Sequence, residues 1–379
     1  MQDHMQDNEK RKEMPRRAAL QRCGWLVLIL ICILCGCSAG TKQKRAGENE
    51  SSGTGVYFDT VVDVRIFGEN ADELLQGCFD LCEEAEKTLS AHRDDSELYR
   101  LNHRLEQAEN EQAENEQDEN EQAVSKQVEG IQEEGSRTEP QSFEVSEELA
   151  SCIGRGLEYA ELSGGKFDIT ILPLRELWDF ESEDASVPAP EEIEQALAKV
   201  DYRKVHVDGT TVTFDDPETQ IDLGGIAKGY ISAKLKNWLK EQGCTSALIN
   251  LGGNVSVLGT KPDGSSWNVG IQEPFADRGT VFETVEIDSG CVISSGTYER
   301  YFEQDGTLYH HILDPETGCP VITDLQQASV VGEDDVLCDA FSTICILEGR
   351  EEAERIAGEN GLDVKIFFVG DNHRGIWFP

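Results

Sequence analysis

Positive charge is what this sequence has least of: 33 Lys and Arg stand against 74 Asp and Glu, a formal net charge of −41 over 379 residues. A surface of that sign repels nucleic-acid phosphates and anionic lipid headgroups, so nucleic acid is not expected as a partner and the charge reads as a solvated surface. Long apolar runs are missing too. The run from Trp25 to Leu34 is too short to cross ~30 Å of hydrocarbon as a helix. Neither GxxxxGK[ST] nor GxGxxG occurs, which removes the P-loop and the dinucleotide fingerprint, and no CxxC spacing follows Cys37, which removes the ordinary zinc and redox pairs. Strands alternating with helices in a βαβ rhythm are also lacking, so a doubly wound parallel sheet is not expected.

What is present begins with a targeting segment. Arg16, Arg17 and Arg22 precede the apolar run, which ends in Leu34-Cys35-Gly36-Cys37. Residues 1–37 read as a signal peptide whose last four residues resemble a bacterial lipobox, with Cys37 as the lipidated residue; an uncleaved N-terminal anchor is the alternative. Either form attaches the body to the cell membrane on its extracytoplasmic face. Residues 38–55, rich in Gly, Ser, Lys and Glu, read as a flexible tether, with order beginning at Val56. Residues 103–142 carry a Glu/Asn/Gln/Ala repeat with almost nothing to bury and read as a solvated insertion in a domain spanning 56–349. Residues 350–379 supply a helix and strand that complete it. Of the eight cysteines after the signal, Cys78 and Cys82 lie four apart on one helix face, and all eight are expected as buried free thiols.

The folded body reads as α+β. Thr60–Phe67 has strand composition, and Leu74, Leu75, Cys78, Leu81, Cys82, Ala85 and Leu89 recur at helical spacing. Ser146 is placed to cap a helix running to Leu162, with Glu147 and Glu148 in its first turn. Lys204–Phe214 alternates around Asp208-Gly209, a hairpin signal that implies antiparallel sheet. A helix near 227–240 and strands near Ala247, Val255, Val269, Val281 and Val292 follow.

Three segments could carry chemistry. Asp222-Leu-Gly224-Gly225-Ile-Ala-Lys228-Gly229 reads as a strand-to-helix junction where glycines admit close approach, and a helix N-terminus with Lys228 favours an anion; a plain turn is the alternative. Asp339, Ser342 and Thr343 share a helix face and offer the oxygen ligands magnesium takes, unless Asp339 is an N-cap. His310-His311-Ile-Leu313-Asp314-Pro315-Glu-Thr317-Gly318 sets imidazoles beside a tight turn. The Gly164-Gly165, Asn250–Asn254 and Ser294–Gly296 segments read as close-approach turns or as loop punctuation.

Together with FDTVVDVRIFG, LSAHRDDSELYRLN, SGGKFDITILPLRELW, ALINLGGN, SSGTYERYF and DAFSTICILEG, these segments resemble the ApbE family of FAD:protein FMN transferases, in family order from Phe58 to Gly349 apart from the insertion. The resemblance implies an ApbE-like α+β fold with mixed and antiparallel sheets, flanking helices and a flavin site in an interdomain cleft. It implies Mg²⁺-dependent transfer of FMN from FAD to a Thr or Ser hydroxyl of an exported redox protein, a subunit of a membrane redox complex, with AMP released. FAD pyrophosphatase activity and non-catalytic flavin binding are the alternatives. The family's flavin slots fall on Phe58, His92, Lys166, Phe167, Asp168, Asp222, Lys228 and Leu313, its metal slots on Gly225, Asp339, Ser342 and Thr343, and the base on His311. Phe58 stands where many members have Met, and His92 where Tyr or Trp is common.

Overall fold

The computed structural model describes residues 50–104 and 140–379, all within a unit spanning 42–379. The signal segment, Cys37, the first part of the tether and residues 105–139 of the insertion lie outside them. In chain order the elements are β1 (Glu50–Tyr57), β2 (Thr60–Phe67), α1 (Ala71–Leu89), α2 (Glu97–Asn102), β3 (Gln141–Glu144), α3 (Glu147–Leu162), α4 (Leu172–Trp178), α5 (Pro190–Leu197), β4 (Val205–Asp208) and β5 (Thr211–Phe214). There follow α6 (Ala227–Glu241), β6 (Ser246–Leu251), β7 (Asn254–Leu258), β8 (Trp267–Gln272), β9 (Val281–Ile287), β10 (Gly290–Gly296), β11 (Tyr301–Gln304) and β12 (Thr307–His310). The chain closes with β13 (Leu325–Gly332), α7 (Asp335–Glu348), α8 (Arg350–Glu359), β14 (Val364–Gly370) and β15 (Gly375–Phe378).

One eight-stranded sheet, in the order β1-β2-β6-β7-β10-β13-β14-β15, organises the body, and every pairing in it is antiparallel. The strand pleat sends successive side chains to opposite faces, and both faces are covered. On β14, Ile366 and Phe368 join the main core with Leu75, Ile231 and Phe341 of the helices, while Phe367 and Val369 pack with Trp267, Val269 and Ile271 of the β8–β9 pair. This explains the unbroken apolar run Ile366–Val369, since a strand buried on both faces has no polar side to show. Each fully buried Leu or Phe here contributes about 1.5–3 kcal/mol through burial. Ser146 caps α3 by accepting the Leu149 N–H at 3.2 Å, and the Asp208-Gly209 hairpin forms with Gly209 at φ 61°.

The structure corrects the expected boundaries. β1 begins at Glu50, so the tether expected through Gly55 ends earlier: Glu50 to Gly55 pair with Phe67 to Val62. The glycines that suggest flexibility serve close packing, because a Cβ on Gly53 would lie 3.0 Å from the Phe79 ring and one on Gly55 2.5 Å from the Tyr57 ring. The insertion, expected over 103–142, is narrower at both ends. Arg104 is buried and donates to the carbonyls of Pro217 and Thr219 at 2.8 Å, and β3 starts at Gln141. The C-terminal part contributes one helix and two strands, with β14 inside the main sheet, so it belongs to the same body. The cleft described below therefore lies within one unit instead of between two domains.

Candidate active site

A cleft of about 990 Å³ opens where the sheet, the β8–β9 pair, the start of α6, residues 166–181 and the β11–β12 hairpin meet. Two two-residue hairpin turns form part of its wall. Gly252-Gly253, between β6 and β7, takes positive φ at both residues, and a Cβ on Gly252 would strike the Thr60 hydroxyl at 2.2 Å. Phe58-Asp59, between β1 and β2, takes the same sign of φ (54° and 55°) without glycine. This turn is held in a disfavoured conformation, with the Phe58 N–H bonded to Glu86 at 2.7 Å.

The junction before α6 is not preceded by a strand. Residues 215–223 form no ladder; instead the Asn102 side chain mimics one, donating to Ile221 O and accepting from Ile221 N at 2.8 Å, while Asp222 N–H reaches Ile169 O at 2.7 Å. Asp222 accepts from Gly224 N–H and from Arg175, both at 2.8 Å. Burial alone would raise its carboxyl; Arg175 and the Gly224 N–H outweigh that and hold it below the usual carboxylate range. The Gly224-Gly225 turn then presents Lys228, whose closest partner is Gly224 O at 3.5 Å and which is in no ion pair among the described residues.

Asp339 lies in the middle of α7, whose N-cap is Asp334, so the capping alternative fails. It sits where α6 and α7 nearly touch: a Cβ on Gly229 would lie 2.3 Å from Asp335 O and 2.6 Å from Asp339 Cβ. Asp339 accepts from Gly229 N–H at 2.7 Å and from the Asn254 amide at 2.8 Å, and it has no ion pair among the described residues. Burial pushes its carboxyl up, countered by Lys228. Thr343 lines the cleft and shares a hydroxyl contact of 3.0 Å with Ser295. Ser342, also expected as a ligand, does not reach the cleft; it is fully buried, donating to Asp339 O at 2.9 Å and touching Ser295 at 2.7 Å. Ser294–Gly296 is part of β10 instead of a turn.

The two histidines separate cleanly. His310 is buried: Val321 O can only accept and the Ile312 N–H can only donate, so Nε2 carries the proton and Nδ1 accepts, and both nitrogens are spent on structure. His311 is half-buried in the cleft wall, and its buried Nδ1 has no partner. Burial, then the nearby Arg300 charge, pulls its pKa down to about 3, so the imidazole is neutral at ordinary pH.

The remaining expected residues also line the cleft, with some already occupied. Phe167 lies against Gly225, where a Cβ would come within 2.8 Å of its ring. Lys166 is paired with Asp314 at 3.1 Å and Glu316 at 2.8 Å. Asp168 holds its own loop, accepting from Thr170 and from Tyr202 N–H. His92 and Leu313 complete the set. Sequence reasoning missed Arg175, Glu181 and Arg300, which form a chain of charges on the cleft wall: Arg175 to Asp222 at 2.8 Å and to Glu181 at 3.7 Å, and Arg300 to Glu181 at 3.0 Å. Two of them lie inside motifs quoted above, but nothing in a linear pattern pairs Arg175 with Asp222 or Arg300 with Glu181.

A family model described as the ApbE family matches residues 58–368. The FAD:protein FMN transferase of Treponema pallidum is 32% identical over 364 residues, covering 91% of each chain. That of Vibrio cholerae is 27% identical over 355 residues, covering 92% of this chain and 94% of its own. Among solved structures, the ApbE protein of Thermotoga maritima aligns with a TM-score of 0.70 at 25% identity, over 89% of this chain and 96% of that one. The flavin transferase ApbE from Vibrio cholerae aligns with a TM-score of 0.70 at 23% identity, over 88% and 97%. With the model covering most of the folded body, the chain belongs to the ApbE family.

Proposed function

We propose that this protein is a FAD:protein FMN transferase that moves FMN from FAD to a Thr or Ser hydroxyl of an exported redox protein and releases AMP. The observation that carries the reading is that one cleft holds both a neutral histidine with an unpartnered ring nitrogen and an anion-favouring turn beside a buried, unpaired carboxylate. Its volume is in the range of sites that enclose cofactor-sized ligands. Phe58, His92, Phe167 and Leu313 offer aromatic and apolar surface for the flavin, while Lys228 and the N–H groups starting α6 favour its phosphates. Asp222, locked to Arg175, keeps the turn in shape.

Mg²⁺ fits the donors present. Among the described residues no three His, Cys, Asp or Glu side chains come together, which argues against an all-protein cage. Magnesium commonly takes one or two carboxylates and completes its shell with phosphate and water. Asp339 is a buried charge without an ion pair, and with Thr343 and the Gly225 carbonyl it would hold the cation. When bound, the metal supplies neutralisation of phosphate charge. The chain's own residues do the rest. His311 accepts the proton of the acceptor hydroxyl as its oxygen bonds to the FMN phosphorus, and the bond to the AMP oxygen breaks with its electron pair. Its low resting basicity suits an empty cleft, and phosphate charge brought near would raise it.

The test incubates the full chain with FAD, Mg²⁺ and a Thr-bearing acceptor protein and looks by mass spectrometry for one added FMN. An adduct lost with EDTA and in His311→Ala supports the reading; conversion to free FMN and AMP without adduct replaces it with hydrolysis, and unchanged FAD removes the enzyme. Lipid attachment at Cys37 on the extracytoplasmic face is part of the proposal, supported by the lipobox-like Leu34–Cys37; membrane association unchanged in Cys37→Ser would overturn it.

A further inference from the structure

We infer that Arg300 is a further catalytic residue, gripping the oxygens of the FMN phosphate under attack from the side of the base; the inference rests on the flavin-transfer reading above. Lysines and arginines line the cleft, but they are not equally free. Lys166 is committed to Asp314 and Glu316, and Arg175 to Asp222, whose carboxylate is only 8% exposed. Arg300 is held differently. It pairs with Glu181 at 3.0 Å, both side chains are open to solvent (37% and 52% exposed), and Glu181 is also within 3.7 Å of Arg175. An exposed pair of this kind exchanges its anion cheaply, and a phosphate offers paired oxygens that match the guanidinium fork.

Its position is set by the β11–β12 hairpin. The last paired residues at the open end are Tyr301 and His310, so Arg300 and His311 come next on the two strands, and Arg300 O accepts the His311 N–H at 3.1 Å. A hydroxyl deprotonated by His311 must attack a phosphorus within roughly 3–3.5 Å of it, which brings the phosphoryl oxygens to this end of the hairpin. Lys228 stands instead at the Gly224-Gly225 turn with Asp339 and Thr343. Charge growing on the phosphate is thus met from two places, by Arg300 beside the base and by Lys228 at the turn.

The chemistry balances without a redox partner. The acceptor O–H gives its proton to His311, the oxygen–phosphorus bond forms, and AMP departs with the electron pair; Arg300 takes no part in the proton transfer. Burial is the main reason His311 rests neutral, and the Arg300 charge adds to it. Of the neighbouring groups that lower its pKa further, Arg300 acts most strongly, ahead of His310 and Arg175. A phosphate seated on Arg300 screens that charge and so raises the basicity of the imidazole when substrate is in place.

The experiment measures FAD affinity by flavin fluorescence and single-turnover FMN transfer to a purified Thr-bearing acceptor across pH 5–9, using the full chain, Arg300→Gln, Arg300→Lys and Glu181→Gln. Expected for Arg300→Gln is a loss of transfer rate of about 10²–10³-fold with FAD affinity changed far less, partial recovery on adding guanidinium, and an acid limb of the rate moved to higher pH. Arg300→Lys, which keeps charge without the fork, falls between. Glu181→Gln, which frees Arg300, binds FAD several-fold more tightly. Transfer by Arg300→Gln within about threefold of wild type, or a misfolded Arg300→Gln together with unchanged FAD binding by Glu181→Gln, overturns the inference. Absence of transfer by the wild-type chain would instead remove the functional reading on which it rests.

Discussion

Asp339 and His311 face the same cleft but are built in opposite ways. Asp339 is enclosed by the α6–α7 contact, with a backbone N–H on one oxygen and an amide on the other. His311 hangs from the end of a two-stranded hairpin, bonded through its backbone, with its buried Nδ1 unpartnered. The first arrangement fixes a carboxyl group in place and makes the fold depend on the hydrogen bonds it accepts. The second keeps a proton site vacant at a small cost in stability and leaves the fold indifferent to its removal.

The sharpest way to break the comparison is to remove each side chain. His311→Ala is expected to lower the transfer rate by about 10²–10⁴-fold while the melting temperature changes little, since the buried Nδ1 has no partner to lose. Asp339→Ala should lose activity and also about 1–3 kcal/mol of stability, because Gly229 N–H and the Asn254 amide are left without an acceptor. Denaturant melts of both variants with and without Mg²⁺ check this; the wild type should be stabilised by the metal and Asp339→Ala should not. If His311→Ala proves the less stable of the two, the contrast is wrong.

Gly229→Ala tests the enclosure itself. The new methyl would meet Asp335 O and Asp339 Cβ, so α6 and α7 must separate, at about 1–3 kcal/mol, with Mg²⁺ affinity weakened although no ligand is changed. The contrast also extends to pH dependence, where the two residues have opposite signs. His311 stays neutral in the fold down to about 3 but takes a proton near its ordinary 6.5 when unfolded, so its contribution to stability is present above 6.5 and lost as pH falls toward 3. Asp339 is raised in the fold, so its ionisation opposes folding as pH climbs through and above its ordinary 3.8. His311→Gln should therefore flatten the loss of stability on the acid side, and Asp339→Asn should remove the loss that sets in as pH climbs above 3.8.

The sequence made local features legible wherever one residue type decides the conformation. Ser146 as a cap, Asp208-Gly209 as a turn and the paired faces of α1 each follow from short-range chemistry, and the family motifs singled out residues that meet in the cleft. What it concealed depends on distant partners. Gly53 and Gly55 suit a tether or a strand packed on Tyr57 and Phe79, and only the ring positions decide. Ser342 and Thr343 are neighbours with the same chemistry, yet a step of one residue around α7 buries one against Ser295 and turns the other to the cleft. Lys166 and Asp168 carry charges that suit a ligand, but Asp314, Glu316 and the Tyr202 N–H already occupy them.

Under the proposed export, the eight thiols of the folded body would give its biogenesis a deadline. All are free, and all but the half-buried Cys319 lie in the interior, where burial pushes thiols such as Cys78, Cys152 and Cys345 well above their ordinary range. Thiolate, the reactive form, is then nearly absent, so the finished protein is a poor target for oxidants. The unfolded chain has no such shelter. If it is exported as proposed, its cysteines meet an oxidising compartment before they are covered, and folding has to outrun random crosslinking. The core of this protein thus serves as chemical armour for its thiols once they are put away.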